Sequence, residues 1–309
     1  MALLFLSEAD PVDEWRDALL AEIPDLDFRV WPDGVGDPDE IDLALVWRPP
    51  AGELKRYPNL KAILSLGAGI DSMLQDQTLP DLPLARMVDP SLTRNMADYV
   101  LLAALRYHRQ FDLFEREQRR SNWSFAFPKA AQERKVGVMG LGVLGNAAAL
   151  ALQRQGFDVA GWSRSAKSIK GIETYHSKDQ IDTFLARSEI LVCLLPLTDE
   201  TEGILNASLF KKLPKGAFLI NAARGRHLVE ADLIDALDSG QLAGATLDVF
   251  ETEPLPDHSP LWLYERILIT PHVASYCLPK TAAKDVAENI RLARAGKPLK
   301  HQVDRSKGY

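Results

Sequence analysis

Residues 135–145 read KVGVMGLGVLG, and this stretch decides the fold. The apolar run from Val136 to Met139 reads as a strand, Gly140, Gly142 and Gly145 then form a GxGxxG, and an Ala-rich helix follows in NAAALALQRQGF. In that strand–turn–helix context each glycine has a task. The first permits a tight turn, the second lets a pyrophosphate approach the backbone, and the third lets helix and strand pack closely. The helix N-terminus adds free N–H groups and the positive end of a dipole. The pattern predicts a dinucleotide site at Gly140, Gly142, Leu144 and Gly145; a purely structural glycine turn is the weaker alternative.

Reading downstream, DVAGWS at 158–163 is the next strand, and its end selects the cofactor. A site that prefers NAD usually carries Asp or Glu there, on the ribose 2′-hydroxyl. This chain has Ser163, Arg164 and Ser165, with Lys167 close behind. A guanidinium fork suits a 2′-phosphate, so the expectation is NADPH, with NADH possible. An ordinary solvated loop is the bland alternative. EILVCLLP, GAFLINAAR, GATLDVF and RILITPH follow as strand-then-loop units, and PKTAAKDVAENIRLARAG as a helix.

Reading upstream, LLFL, LALVW and KAILSL look like buried parallel strands, with VDEWRDALLAEI helical between the first two. Met96 to about Arg120 reads as one long amphipathic helix whose broad apolar face links domains or meets a partner subunit. Strands alternating with helices on both sides of it predict two α/β blocks with parallel sheets.

The bulk numbers fit. A chain of 309 residues favours two domains. A net charge of −7 argues against general binding to nucleic acid or an anionic membrane. Two cysteines without a CxxC pair fit a reducing compartment and give no zinc spacing, so no metal is expected. The N-terminal MALLFLSEADP lacks a basic region and a small-residue cleavage site. It reads as a first strand of a cytoplasmic protein.

Three segments place a polar residue just after an apolar strand: LINAARGRHLVEADLIDAL with Arg224, LDVFETEPLP with Glu253, and TPHVA with His272. Ligands of open α/β sheets bind at the carboxyl ends of strands, where these residues would stand. Of the other histidines, His108, His176 and His301 have polar neighbours and read as surface, while His227 and His258 lie near the motifs without an assigned role.

With GLGVLG and LLPLTDETEGILN, these motifs in this order resemble the D-isomer-specific 2-hydroxyacid dehydrogenase family over nearly the whole chain. LVWRPP, LGAGID and GWSRS are most similar to its glyoxylate/hydroxypyruvate reductase A type. The resemblance implies two Rossmann-like domains: a flavodoxin-like substrate domain of residues 1–98 plus 276–309, and an inserted NAD(P)-binding domain of 99–275, with an interdomain cleft. It implies NADPH-dependent reduction of small 2-oxo acids. His272 would donate the proton, Glu253 would orient its ring, and Arg224 would bind the substrate carboxylate. Pro196 and Asp248 would contact the cofactor. Trp47 would wall the substrate pocket, and the amides of Gly67, Ala68 and Gly69 would hold the carboxylate as an anion nest. A homodimer through the nucleotide domain is implied as well. Kept open are a reductase of larger 2-oxo acids such as phenylpyruvate and, from a different class, a nucleotide-sensing binding protein.

Overall fold

The strand ALLFL, Ala2–Leu6, is apolar and buried at every position, as a parallel strand covered on both faces must be. It is β1 of a computed structural model that describes residues 1–305. Helix α1 (Val12–Glu22) follows, then β2 (Asp27–Val30), β3 (Ile41–Val46), β4 (Ala62–Ser65), the short α2 (Asp71–Gln75) and β5 (Leu84–Ala85). All pair in parallel, in the order β2-β1-β3-β4-β5. That order is flavodoxin-like, and its connections reverse direction between β1 and β3, which puts the end of β3 at a switch point.

Helix α3 (Pro90–His108) comes next, then α4 (Phe111–Arg119). The single helix expected from Met96 to Arg120 is thus two. Gln110 takes a left-handed conformation (φ 59°) after α3 closes with Arg109 N donating to Leu105 O. No Gly or Pro marks the break, so the apolar pattern runs through it unbroken. The same turn corrects the reading of His108 as a surface residue. It is buried, with its ring edge-on to Phe157 at 5.1 Å, because its polar sequence neighbours point elsewhere.

The second sheet holds β6 (Lys135–Met139), β7 (Asp158–Ser163), β8 (Glu173–His176), β9 (Ile190–Cys193), β10 (Ala217–Asn221), β11 (Leu242–Leu247) and β12 (Ile267–Ile269). Between them lie α5 (Val143–Arg154), α6 (Ile181–Arg187), α7 (Ala207–Phe210) and α8 (Glu230–Asp238). Every pairing is again parallel, in the order β12-β11-β10-β9-β6-β7-β8. This is the Rossmann order with one added strand, and its switch point lies between β6 and β9. Apolar residues pack on both faces of this sheet, Leu191, Leu219 and Leu247 on one and Val138, Val192 and Ile220 on the other.

Helix α9 (Pro279–Arg294) returns the chain to the first sheet. There Arg294 makes a two-pronged ion pair to Asp42, 3.1 Å to each carboxylate oxygen. The described chain divides into two units, Met1–Leu92 with residues 276–305, and Thr93–Ser275. The first crossing falls inside α3, before the expected boundary after residue 98, because α3 is buried in the second unit from Met96 on.

Candidate active site

The second unit gathers most of the predicted residues at the carboxyl ends of its strands. Its centre is the turn between β6 and α5. A Cβ on Gly145 would stand 1.8 Å from Gly140 O, and one on Gly140 would stand 2.5 Å from Leu194 O, so larger residues are shut out. A Cβ on Gly142 would meet nothing within 4 Å. Gly142 is also the N-cap of α5 and offers no side-chain cap, so the first N–H groups of the helix look onto open space. That is the fit a pyrophosphate requires. Leu144 sits in the first turn of α5, packed on the core.

Leu194 and Pro196 follow β9 on the other side of the switch point. Pro196 O accepts hydrogen bonds from Thr201 Oγ1 at 2.7 Å and from the ring of His227 at 3.2 Å. His227 is fully buried and fixes this loop against the turn after β10. After β7, the Ser163 hydroxyl donates to Ser165 O at 2.8 Å, shaping an exposed turn with Arg164 at its tip.

The turn after β10 is built by a residue that sequence reading passed over. Asn221 is fully buried; its amide donates to Arg224 O at 3.1 Å and its carbonyl accepts from Ala223 N at 3.2 Å. Arg224 is half-buried, with Nη1 donating to Ala223 O at 2.7 Å. The signal was a lone Asn ending an apolar strand.

His272 Nδ1 lies 2.8 Å from Glu253 Oε2, and Glu253 Oε1 accepts from Phe250 N at 3.0 Å. The carboxylate is therefore fixed at both oxygens. His272 itself is left-handed (φ 56°), an uncommon conformation for a residue with a side chain. Its amide donates to Asp248 O at 2.8 Å, which helps hold it there. Asp248 is buried, and its carboxylate accepts from Thr270 Oγ1 (2.6 Å), Val273 N and Ala274 N (both 2.9 Å). Burial pushes its carboxyl above the ordinary range, and these hydrogen bonds oppose the rise. Burial also pushes the Cys193 thiol, at the end of β9, up to about 12.

The remaining candidates belong to the first unit. Trp47 follows β3, with N donating to Leu6 O, and its ring covers Gly67, where a Cβ would stand 2.1 Å from Trp47 Cζ3. Gly67 N donates to Ser65 Oγ at 3.1 Å. Of the three amides expected to form an anion nest, that of Gly67 is engaged within the protein.

Residues 101–274 match the family model "D-isomer specific 2-hydroxyacid dehydrogenase, NAD binding domain". The chain belongs to the D-isomer specific 2-hydroxyacid dehydrogenase family. A glyoxylate/hydroxypyruvate reductase A from Serratia proteamaculans (strain 568) is 42% identical over 315 residues, covering 100% of both chains. A D-isomer specific 2-hydroxyacid dehydrogenase from Xanthobacter autotrophicus Py2, solved with NADPH and MES, is 49% identical with a TM-score of 0.95, over 100% of this chain and 99% of that one. An NADPH-dependent glyoxylate/hydroxypyruvate reductase from Sinorhizobium meliloti, solved with NADP and sulfate, is 39% identical with a TM-score of 0.93, over 100% of both. As a 2-hydroxyacid dehydrogenase the chain is an oxidoreductase with an NAD-binding Rossmann domain, and a binding protein without catalysis is set aside. No helix among the described residues is long and apolar enough to cross a membrane.

Proposed function

We propose that the protein reduces small 2-oxo acids, glyoxylate and hydroxypyruvate first among them, with NADPH as the preferred reductant. The observation that carries this reading is the pair Glu253–His272, closed at 2.8 Å between the loop after β11 and the loop after β12, with Arg224 on the loop after β10 of the same sheet. When bound, the reduced nicotinamide supplies the hydride that adds to C2. The chain's own residues do the rest. Arg224 pairs its guanidinium with the substrate carboxylate and polarises the keto group. Glu253 occupies Nδ1 of His272, so the proton for the carbonyl oxygen leaves from Nε2. Asp248 is assigned to the nicotinamide amide, Pro196 to a ribose of the cofactor, and Ser163 with Arg164 to the 2′-phosphate. In the first unit, Trp47 and the amides of Ala68 and Gly69 are assigned to the substrate.

Oxidation of NADPH in the presence of glyoxylate, hydroxypyruvate, pyruvate or phenylpyruvate, repeated with NADH, tests the proposal. Fast turnover on the two smallest acids with NADPH preferred is expected. A preference for phenylpyruvate would move the substrate and keep the chemistry. No turnover on any of them would sink the reading.

We further propose a cytoplasmic homodimer paired through the nucleotide-binding unit. Trp123, Phe125 and Phe127 are 93%, 77% and 83% exposed on one short segment after α4, an aromatic surface of the kind a partner subunit covers. Light scattering that gives a monomer mass at micromolar concentration would refute the dimer.

A further inference from the structure

Helix α3 carries two tyrosines that reach the second sheet, and their hydroxyls end differently. Tyr107 OH lies 2.7 Å from Thr246 Oγ1 within β11, a fully buried pair from which no other side-chain bond leads among the described residues. Tyr99 OH lies 2.6 Å from Thr270 Oγ1, and that oxygen lies 2.6 Å from Asp248 Oδ1. A carboxylate only accepts. Thr270 must therefore give its single proton to Asp248, and Tyr99 must be the donor to Thr270. The chain has one direction, Tyr99 to Thr270 to Asp248.

Its far end is the backbone that carries His272. Asp248 binds the amides of Val273 and Ala274 through its side chain, each at 2.9 Å, and the amide of His272 through its carbonyl at 2.8 Å. A left-handed histidine persists only where surrounding bonds impose it. Among the contacts that oppose the upward push of burial on the Asp248 carboxyl, the Thr270 hydroxyl is the largest. A donor to the Thr270 oxygen polarises its O–H, so the bond from Tyr99 strengthens the one that Thr270 gives to Asp248.

We propose that Tyr99 is a positioning residue for the reaction. By donating to Thr270 Oγ1 it strengthens the hydrogen bond from Thr270 to Asp248, which helps hold the Asp248 carboxylate in one orientation and so aims the turn that presents His272. The proposal rests on the reading of His272 as the proton donor.

Tyr107 supplies the control, because Tyr107→Phe deletes the same kind of tyrosine–threonine bond on the same helix without touching Asp248. Wild-type turnover on a 2-oxo acid is measured first; its absence would overturn the functional reading and this one with it. With turnover present, Tyr99→Phe should lower kcat about two- to ten-fold, the worth of one hydrogen bond. Cofactor affinity, read by fluorescence titration, should fall by less than kcat does. Tyr107→Phe should leave kcat unchanged while lowering the melting temperature as much as Tyr99→Phe does. Thr270→Val should reproduce the loss and Thr270→Ser should recover most of it. Wild-type kcat in Tyr99→Phe, an equal loss in Tyr107→Phe, or full turnover in Thr270→Val would each overturn the proposal.

Discussion

Glu253 grips His272 with one carboxylate oxygen, 2.8 Å from Nδ1, while its other oxygen takes the amide of Phe250 at 3.0 Å. The carboxylate cannot turn without breaking one of these bonds, so the ring is held in one orientation.

If that ring delivers the proton, His272→Ala should lower kcat by roughly 100- to 10,000-fold, the usual worth of a positioned acid. Glu253→Gln keeps the shape and loses the charge, so its loss should be smaller. Binding of NADPH, followed by fluorescence, should change little in either. Unaltered turnover in His272→Ala would remove it from the chemistry.

The turn after β7 predicts cofactor preference. Arg164→Ala should raise KM for NADPH about ten-fold, as expected for one exposed charge-assisted contact, and leave KM for NADH nearly untouched. Parallel losses with both cofactors would show that Arg164 does not read the 2′-phosphate.

His108 predicts a pH dependence of stability. Burial, reinforced by Arg134 and Arg109, holds its imidazole below the ordinary value. The unfolded chain therefore takes up this proton first as the pH falls. The stability in question is present above the unfolded value near 6.5 and is lost as the pH drops through the lower folded value. Melting temperatures from pH 8 to 5 should fall less steeply in His108→Leu than in the wild type. Parallel curves would show that His108 is not the group responsible.

The pair Asp42–Arg294 predicts a stability effect in the first unit. Asp42 is 2% exposed, so Arg294→Met strands a buried charge and should cost about 1–3 kcal/mol, scaled down because Arg294 is partly solvated. Adding Asp42→Asn should restore part of that. Urea denaturation of the two variants decides, and equal stability of Arg294→Met and the wild type would dismiss the pair as a stabilising element.

What could be read from the sequence was what is local. The GxGxxG, the apolar strands β6, β7 and β9, and the polar residues at strand ends all lie within a few residues of their signals. What escaped depends on distant partners. DFRV and ETYH became β2 and β8, edge strands whose half-polar character hides them. The bend at Gln110 has no Gly or Pro to announce it. His108 looked exposed because Phe157, its ring partner, is far away in sequence. Asn221 and Thr270 were missed for the same reason: each gains its role from the shape of a turn, which no spacing reveals.

The turn at Ser163–Ser165 stands apart from the rest of the sheet. It is shaped by a hydrogen bond of its own and begins where the packed core ends, one residue after Trp162. Side chains at its tip can be exchanged with little effect on folding, whereas a change at Asn221 or Asp248 disturbs the scaffold itself. On the proposed reading, the choice of redox currency is then an evolvable trait carried on a replaceable tip, separable from the reaction, and the natural place to begin retuning this protein as a biocatalyst.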